Sequence, residues 1–364
     1  MVGLKARGKN RNREKGKILN RKRLRLSIYL VGAWFIIALF SLSLGAVRLP
    51  MHDVLAMIGG GLPFVSDTFL STKWWPASSE IILFQIRMPR VLLAGLVGAS
   101  LALSGTTLQG LFRNPMASPF VLGISAGASL GAVCAFVWKI EFSFMGLSSV
   151  PLMAFAGALC TIILVYNLAR VKGHVPISTL LLSGIAVASV LSALVSLAIV
   201  FGEKDVTHIV FWLMGGLSRA DWSRIGHVIP YFLIGFAVTV VYARDLNAML
   251  LGEEASKHLG IHVEGVKLYL LCATSLLTAA AVSVSGVIGF VGLIVPHIVR
   301  LIIGPDHRLL VPIAALTGAI FLTVMDTIAR TVLSSTEIPV GAITALFGGP
   351  FFIFLLRRGR MPIW

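Results

Sequence analysis

Between Lys267 and Arg300 the chain carries no Asp, Glu, Lys or Arg, an apolar run too long for a single bilayer crossing of about twenty residues. Shorter charge-free stretches recur from Leu26 onward, each of about the length that crosses a hydrocarbon core as a helix. With 57% hydrophobic and 13% charged residues and a mean hydropathy of +0.92, a soluble domain is excluded. Helices rather than barrel strands carry such runs, because each satisfies its own backbone hydrogen bonds. Hydropathy predicts helices over 26–46, 91–111, 119–138, 149–169, 180–201, 226–243, the long stretch 266–303, 309–329 and 339–356. Gly286, Gly289 and Gly292 offer places to break the long stretch, which gives nine spans uncut and ten when cut.

Charge chooses between these counts. Of 31 Lys and Arg, eleven precede residue 26, directly ahead of the first apolar run. In a soluble protein the net charge of +16 would point to nucleic acid, but this placement is that of a topology signal. An anionic-lipid or RNA-binding tail is the alternative. The length of the basic segment and of 26–46 argues for an uncleaved first span over a signal peptide. The N-terminal tail and Arg357, Arg358 and Arg360 belong on one side, the cytoplasm, which requires an even number of spans. The expected fold is therefore all-α and polytopic, with about ten transmembrane helices and both termini cytoplasmic. It divides into a basic tail 1–25, a single transmembrane domain 26–358 with a cytoplasmic loop at 244–265, and a cytoplasmic end 359–364. On this topology Arg87, Arg90 and Arg330 face outward beside apolar runs, against the trend. Residues 47–88 form a long outer connection with Trp74 and Trp75 at an interface, and Val206–Leu217 lies along the membrane surface.

Signatures of chemistry are sparse. There is no GxxxxGK[ST] loop, HExxH, GxSxG or pair of carboxylates within a span. Cys134, Cys160 and Cys272 sit singly in apolar runs, so neither disulfide nor metal site follows. Asp326 is the one acidic residue well inside such a run, with Arg330 four positions later. A local ion pair is favoured over a proton relay, which would need further intramembrane carboxylates. Gly123, Gly127 and Gly131, with Gly95, Ala99, Gly98 and Ala102, mark small-residue faces for close helix packing. The connection Ala243–Val266 holds a short amphipathic helix with Glu253 and Lys257 at i,i+4 and Gly260 as its stop; it is a solvated loop or a docking surface.

Several segments in order, RNPMASPFVLGISAGASLGA (113–132), LLGEEASKHLGI (250–261), GFVGLIVPHIVR (289–300), GPDHRL (304–309), EIPVGAI (337–343) and FGGP (347–350), resemble the FecCD/BtuC-like permeases of type II ABC importers. Asn114, Pro115, Gly123, Gly127, Gly131, Pro296 and His297 fall within these motifs. The resemblance implies a permease dimer in the bacterial cytoplasmic membrane, ten helices per subunit, with an identical second subunit favoured over a different one. It implies a cytoplasmic ATPase pair, which uses ATP and Mg, docked at Leu251, Gly252, Glu253, Glu254, Ala255 and Leu259. An extracytoplasmic binding protein would dock through Arg87, Arg90 and Arg330, with lipid-headgroup anchoring or the Asp326 pair as alternatives. Ser178 and Thr179 are the implied cytoplasmic gate, and helix N-capping explains them equally. The chain itself would bind no cofactor, metal or nucleic acid and would not be an enzyme. The basic tail is longer than the family leads one to expect. Alternating access driven by the ATPase is the implied mechanism, with an iron–siderophore first among cargoes and haem, cobalamin and oxyanions behind. An ion-gradient-driven transporter and an intramembrane enzyme are the rivals.

Overall fold

The computed structural model describes residues 2–45, 47–60, 74–201, 206–333 and 336–358; the expected cytoplasmic end 359–364 lies outside them. In chain order the helices are α1 (Val2–Ser43), α2 (Met51–Gly60), α3 (Ala77–Ile81), α4 (Met88–Phe112), α5 (Ile124–Val137), α6 (Ser149–Ala169), α7 (Ile177–Phe201), α8 (Val206–Leu213), α9 (Trp222–Val241), α10 (Ala243–Met249), α11 (Glu253–His258), α12 (Val263–Ser285), α13 (Val291–Ile303), α14 (His307–Thr331) and α15 (Val340–Arg358). One small hairpin, β1 (Ser143–Phe144) with β2 (Leu147–Ser148), joins α5 to α6. Among the described residues seven helical stretches are long and apolar enough to cross a membrane, and three shorter apolar helices accompany them.

α1 runs 42 residues, so the basic segment is helical and continuous with the first span. Three expectations need correction. The second span begins well before residue 91: α3, a π-helical turn over Ile82–Arg87 and α4 form one stretch of 36 residues, Ala77–Phe112. Pro89 lacks an N–H and its ring crowds the preceding turn, and the widened π-helical turn just ahead of it lets the helix continue. Arg87 and Arg90 thus sit within a helix and not in a loop. The long apolar run does break at Gly286, but its second half, α13, is only 13 residues long. The third expected helix is likewise divided, because Gly123 adopts φ 76° between a 3-10 turn (Pro119–Leu122) and α5, a conformation natural to glycine.

α4 is the centre of the molecule, buried almost throughout and packed against α9, α12, α13 and α14. Its small residues explain this. A methyl group at Gly98 would collide with the carbonyl of Gly318 on α14, and one at Gly105 with that of Gly292 on α13. Gly127 and Gly131 similarly let α5 approach Gly157 and Met153 of α6. Hydroxyls bridge the same interfaces: Ser104 and Thr278 are 2.8 Å apart between α4 and α12. Leucines and phenylalanines on α1, α7, α9 and α15 give the bundle an exposed apolar surface.

Candidate docking and coupling sites

At one end of the bundle, four charged side chains converge from distant parts of the chain. Arg90 Nε donates to both oxygens of Asp326 at 3.0 Å, and Nη1 donates to both oxygens of Glu337 at 2.8 and 2.9 Å. Asp326 is sealed, while Glu337, in the segment leading to α15, keeps 48% of its side chain exposed. Arg330 lies 3.7 Å from Asp326 and donates to the Ser41 hydroxyl at 2.6 Å and to the Ser41 carbonyl. Arg87 donates to the carbonyls of Leu42, Ser43 and Val47. These acceptors include the last carbonyls of α1, which no intrahelical N–H can satisfy and where the helix dipole is negative.

The three arginines expected to reach a binding protein are therefore only 5–7% exposed, their guanidinium donors turned to groups of their own chain. A buried guanidinium is costly unless its donors are met; the end of α1 accepts from Arg87 and from Nη2 of Arg330, Asp326 and Glu337 accept from Arg90, and Arg330 Nε faces Asp326 at 3.7 Å without a hydrogen bond. Arg90 borders a cavity of about 440 Å3 that is also lined by Glu337, Arg224, Arg219, His208 and Trp212. The expected Asp326–Arg330 pair exists, but Arg90 is the closer partner of Asp326.

At the opposite end, α10 and α11 connect α9 to α12. Gly252 takes φ 111°, a value side chains rarely adopt, and this turns the chain between the two short helices. α11 carries Glu253 and Glu254 in its first turn and Lys257 and His258 in its last, as the helix dipole favours. The expected Glu253–Lys257 pair is replaced: Glu253 accepts from Lys267 at 2.8 Å, and that buried ammonium also donates to Glu264 at 3.1 Å and to the Val175 carbonyl. Burial of Lys267 at the start of α12 demands a nearby carboxylate, and Glu253 supplies one. Leu251 and Leu259 flank α11 and are exposed, as is Glu254, while Ala255 is half-buried.

A second constellation ties this connection to α14. Asn247 Nδ2 donates to Asp306 at 2.7 Å, so its Oδ1 must accept, and it does so from the His307 backbone N–H at 2.8 Å and from His307 Nδ1 at 2.9 Å. Asp306 in turn pairs with Arg308 at 2.7 Å and caps α14. Partial burial pushes the Asp306 carboxyl up, but hydrogen bonds from Arg308 and Asn247 outweigh it and hold the group below the usual carboxylate range. Nearby, buried Gln109 of α4 accepts from Arg300 of α13 at 2.9 Å. Ser41, Gln109, Asn247, Lys267, Asp306, His307 and Glu337 were not singled out from the sequence as partners in these networks, although Asp306, His307 and Glu337 lie inside the quoted motifs. Only pairing across the fold identifies them.

The remaining motif residues have local roles. Asn114 Oδ1 accepts the Met116 N–H at 2.9 Å just after α4 ends, with Pro115 in the turn between them. Pro296 lies inside α13, and His297 is buried with its ring centroid 6.4 Å from Phe351 and from Phe352. Ser178 and Thr179 sit in the first turn of α7, Ser178 exposed. The first helical acceptor is the Pro176 carbonyl, so neither residue holds the cap position. Among the described residues no cluster of metal ligands occurs, and the three cysteines are free.

Comparison with known proteins places this geometry. The FecCD transport family model matches residues 33–358. The cobalamin import system permease protein BtuC of Halobacterium salinarum is 47% identical over 86% of this chain and 84% of its own length. The hemin transport system permease protein HmuU of Yersinia pestis is 41% identical over 84% of this chain and 93% of its own. A solved inward-facing ABC transporter, described as of the metal-chelate type, superposes with a TM-score of 0.78 at 30% identity, covering 92% of this chain and 99% of that one. With the family model spanning nearly all of the helical bundle, this multi-pass membrane chain belongs to the FecCD transport family.

Proposed function

We propose that the chain is the membrane-spanning permease of an ATP-driven importer, taking a metal chelate, iron–siderophore first, across the cytoplasmic membrane by alternating access. The observation that carries this reading is the connection α10–α11. It presents two exposed leucines beside two glutamates, and it is pinned to α12 through Glu253–Lys267 and to α14 through Asn247. A separate ATPase that grips Leu251, Gly252, Glu253, Glu254, Ala255 and Leu259 would thereby move two long helices at once. Ten spans are taken as the seven long helices with α5, α13 and α15, both termini being cytoplasmic on the side of α10–α11. A second permease subunit, an identical copy in the simplest case, completes the pathway, and Ser178 and Thr179 at the start of α7 are its inner gate.

On the outer face an extracytoplasmic binding protein docks at the cavity beside Arg90. Its carboxylates meet exposed Arg219 and His208 first and reach Arg90 only by displacing Glu337. Arg87 and Arg330 join such a contact only if they leave the end of α1. One observation favours a second cargo: the relative at 47% identity is named for cobalamin. Vesicles holding this chain, its ATPase and a loaded binding protein test the proposal. Uptake should require ATP and be indifferent to a proton gradient, and uptake that follows the gradient without ATP would overturn it. Parallel runs with iron–siderophore, haem and cobalamin decide the cargo.

A further inference from the structure

A cleft of about 320 Å3 opens between α6 and α12, on the end of the bundle that carries α10–α11. Leu159, Ile163 and Tyr166 form one wall, and Leu268, Cys272 and Leu276 the other. Cys272 is exposed, so the cleft is open to whatever surrounds the bundle. Three of the five tyrosines gather near its mouth: Tyr166 on the last turns of α6, Tyr242 at the end of α9, and Tyr269 on α12, which stacks on Tyr242 at 5.6 Å. Tyrosines on neighbouring helices at one level mark the boundary between hydrocarbon and headgroups. The cleft thus begins at headgroup depth and runs into the hydrocarbon.

Cations stand at that level. Arg170 follows Tyr166 by four positions, just past α6, and Lys172 sits in a tight turn closed by reciprocal Val171–His174 backbone bonds of 2.8 and 3.0 Å. Both side chains are exposed, and neither forms an ion pair among the described residues. Lys267, beside the cleft residue Leu268, is already held by Glu253 and Glu264. Two cations outside any ion pair among the described residues therefore follow the lining residues Tyr166 and Asn167 within about a turn and a half, with Glu264 against the same turn but already shared with Lys267 and the Val175 N–H, an arrangement that matches a phosphate-bearing lipid with its tail inside the slot.

We propose that this cleft is a site for one anionic phospholipid, with an acyl chain between α6 and α12 and the phosphate against Arg170 and Lys172. The purified full chain is incubated with phosphatidylglycerol bearing a photoactivatable group in one acyl chain, irradiated and mapped. Labels should concentrate on the 159–167 and 268–276 segments, and unlabelled phosphatidylglycerol should compete at about tenfold lower concentration than phosphatidylcholine. R170E/K172E should erase that preference. C272F, a bulky change at an exposed wall position, should remove these labels while sparing those on the exposed face of α7. Even labelling of all outward faces, equal competition by the two lipids, competition by inorganic phosphate alone, or cross-links from this cleft to a second copy of the chain would each overturn the site.

Discussion

Arg90 holds two carboxylates whose surroundings differ, and the difference sets what each is worth. Removing Arg90 takes the closer counter-ion from sealed Asp326 and leaves it only Arg330 at 3.7 Å, so R90A should cost about 3 kcal/mol. E337Q breaks a half-exposed contact and should cost less than about 1 kcal/mol. Thermal unfolding of the two variants in the same detergent checks the ordering, and a larger loss for E337Q would contradict it. Asp306 makes a prediction in pH. Its carboxyl is held below its ordinary value in the folded chain, so its contribution is present above that ordinary value, about 4, and is lost as pH falls through the lower folded value. Unfolding followed from pH 7 downward should show N247A and native chains converging only in acid. What could be read at this scale without coordinates was residue type: the isolated carboxylate at 326 and the outlying arginines stand out. Their partners do not, because Arg90 and Glu337 are 247 positions apart and Arg90 and Asp326 are 236 apart, and no local pattern links them.

Among the helices, hydropathy located α6 at its actual limits and came within a few residues at α7, α9, α14 and α15. It failed where charge was hidden. Arg87 and Arg90 look like loop residues to any rule that counts charges, yet the carbonyls of α1 and the carboxylates of α14 and Glu337 let them enter the helix, and the span starts at Ala77. Small-residue spacing correctly marked the α4 and α5 faces but not their partners on α6, α13 and α14. Those partners make a specific prediction. G105L places a branched side chain where the Gly292 carbonyl lies. Overpacking of this kind costs about 1–3 kcal/mol where neighbours yield, and backbone on both sides cannot yield easily. The variant should lose folded yield by size-exclusion chromatography, while G226L, where nothing lies within 4 Å, should not.

Across the whole molecule, α14 connects the two candidate sites. Its first residues are clamped to α10 through Asn247, and its last turns hold the arginine–carboxylate cluster. At ~1.5 Å per residue a helix of this length spans about 37 Å, enough to carry a displacement from one membrane face to the other. Gly318 of α14 lies in close contact with Gly98 and Ala102 of α4, which ties the two helices together. N247A should therefore leave ATPase binding intact while lowering uptake per ATP hydrolysed, measured in the same vesicles; unchanged coupling would remove the clamp from the pathway.

In the proposed mechanism, motive force enters at α11 from a separate subunit. Affinity of the cognate ATPase for the native chain and for L251D/L259D, both in detergent and both shown to be folded, tests this most directly. Replacing two exposed leucines of a hydrophobic contact by carboxylates should weaken association by more than about tenfold and abolish ATP-driven uptake in parallel. Equal affinity and undiminished uptake by the variant would contradict it.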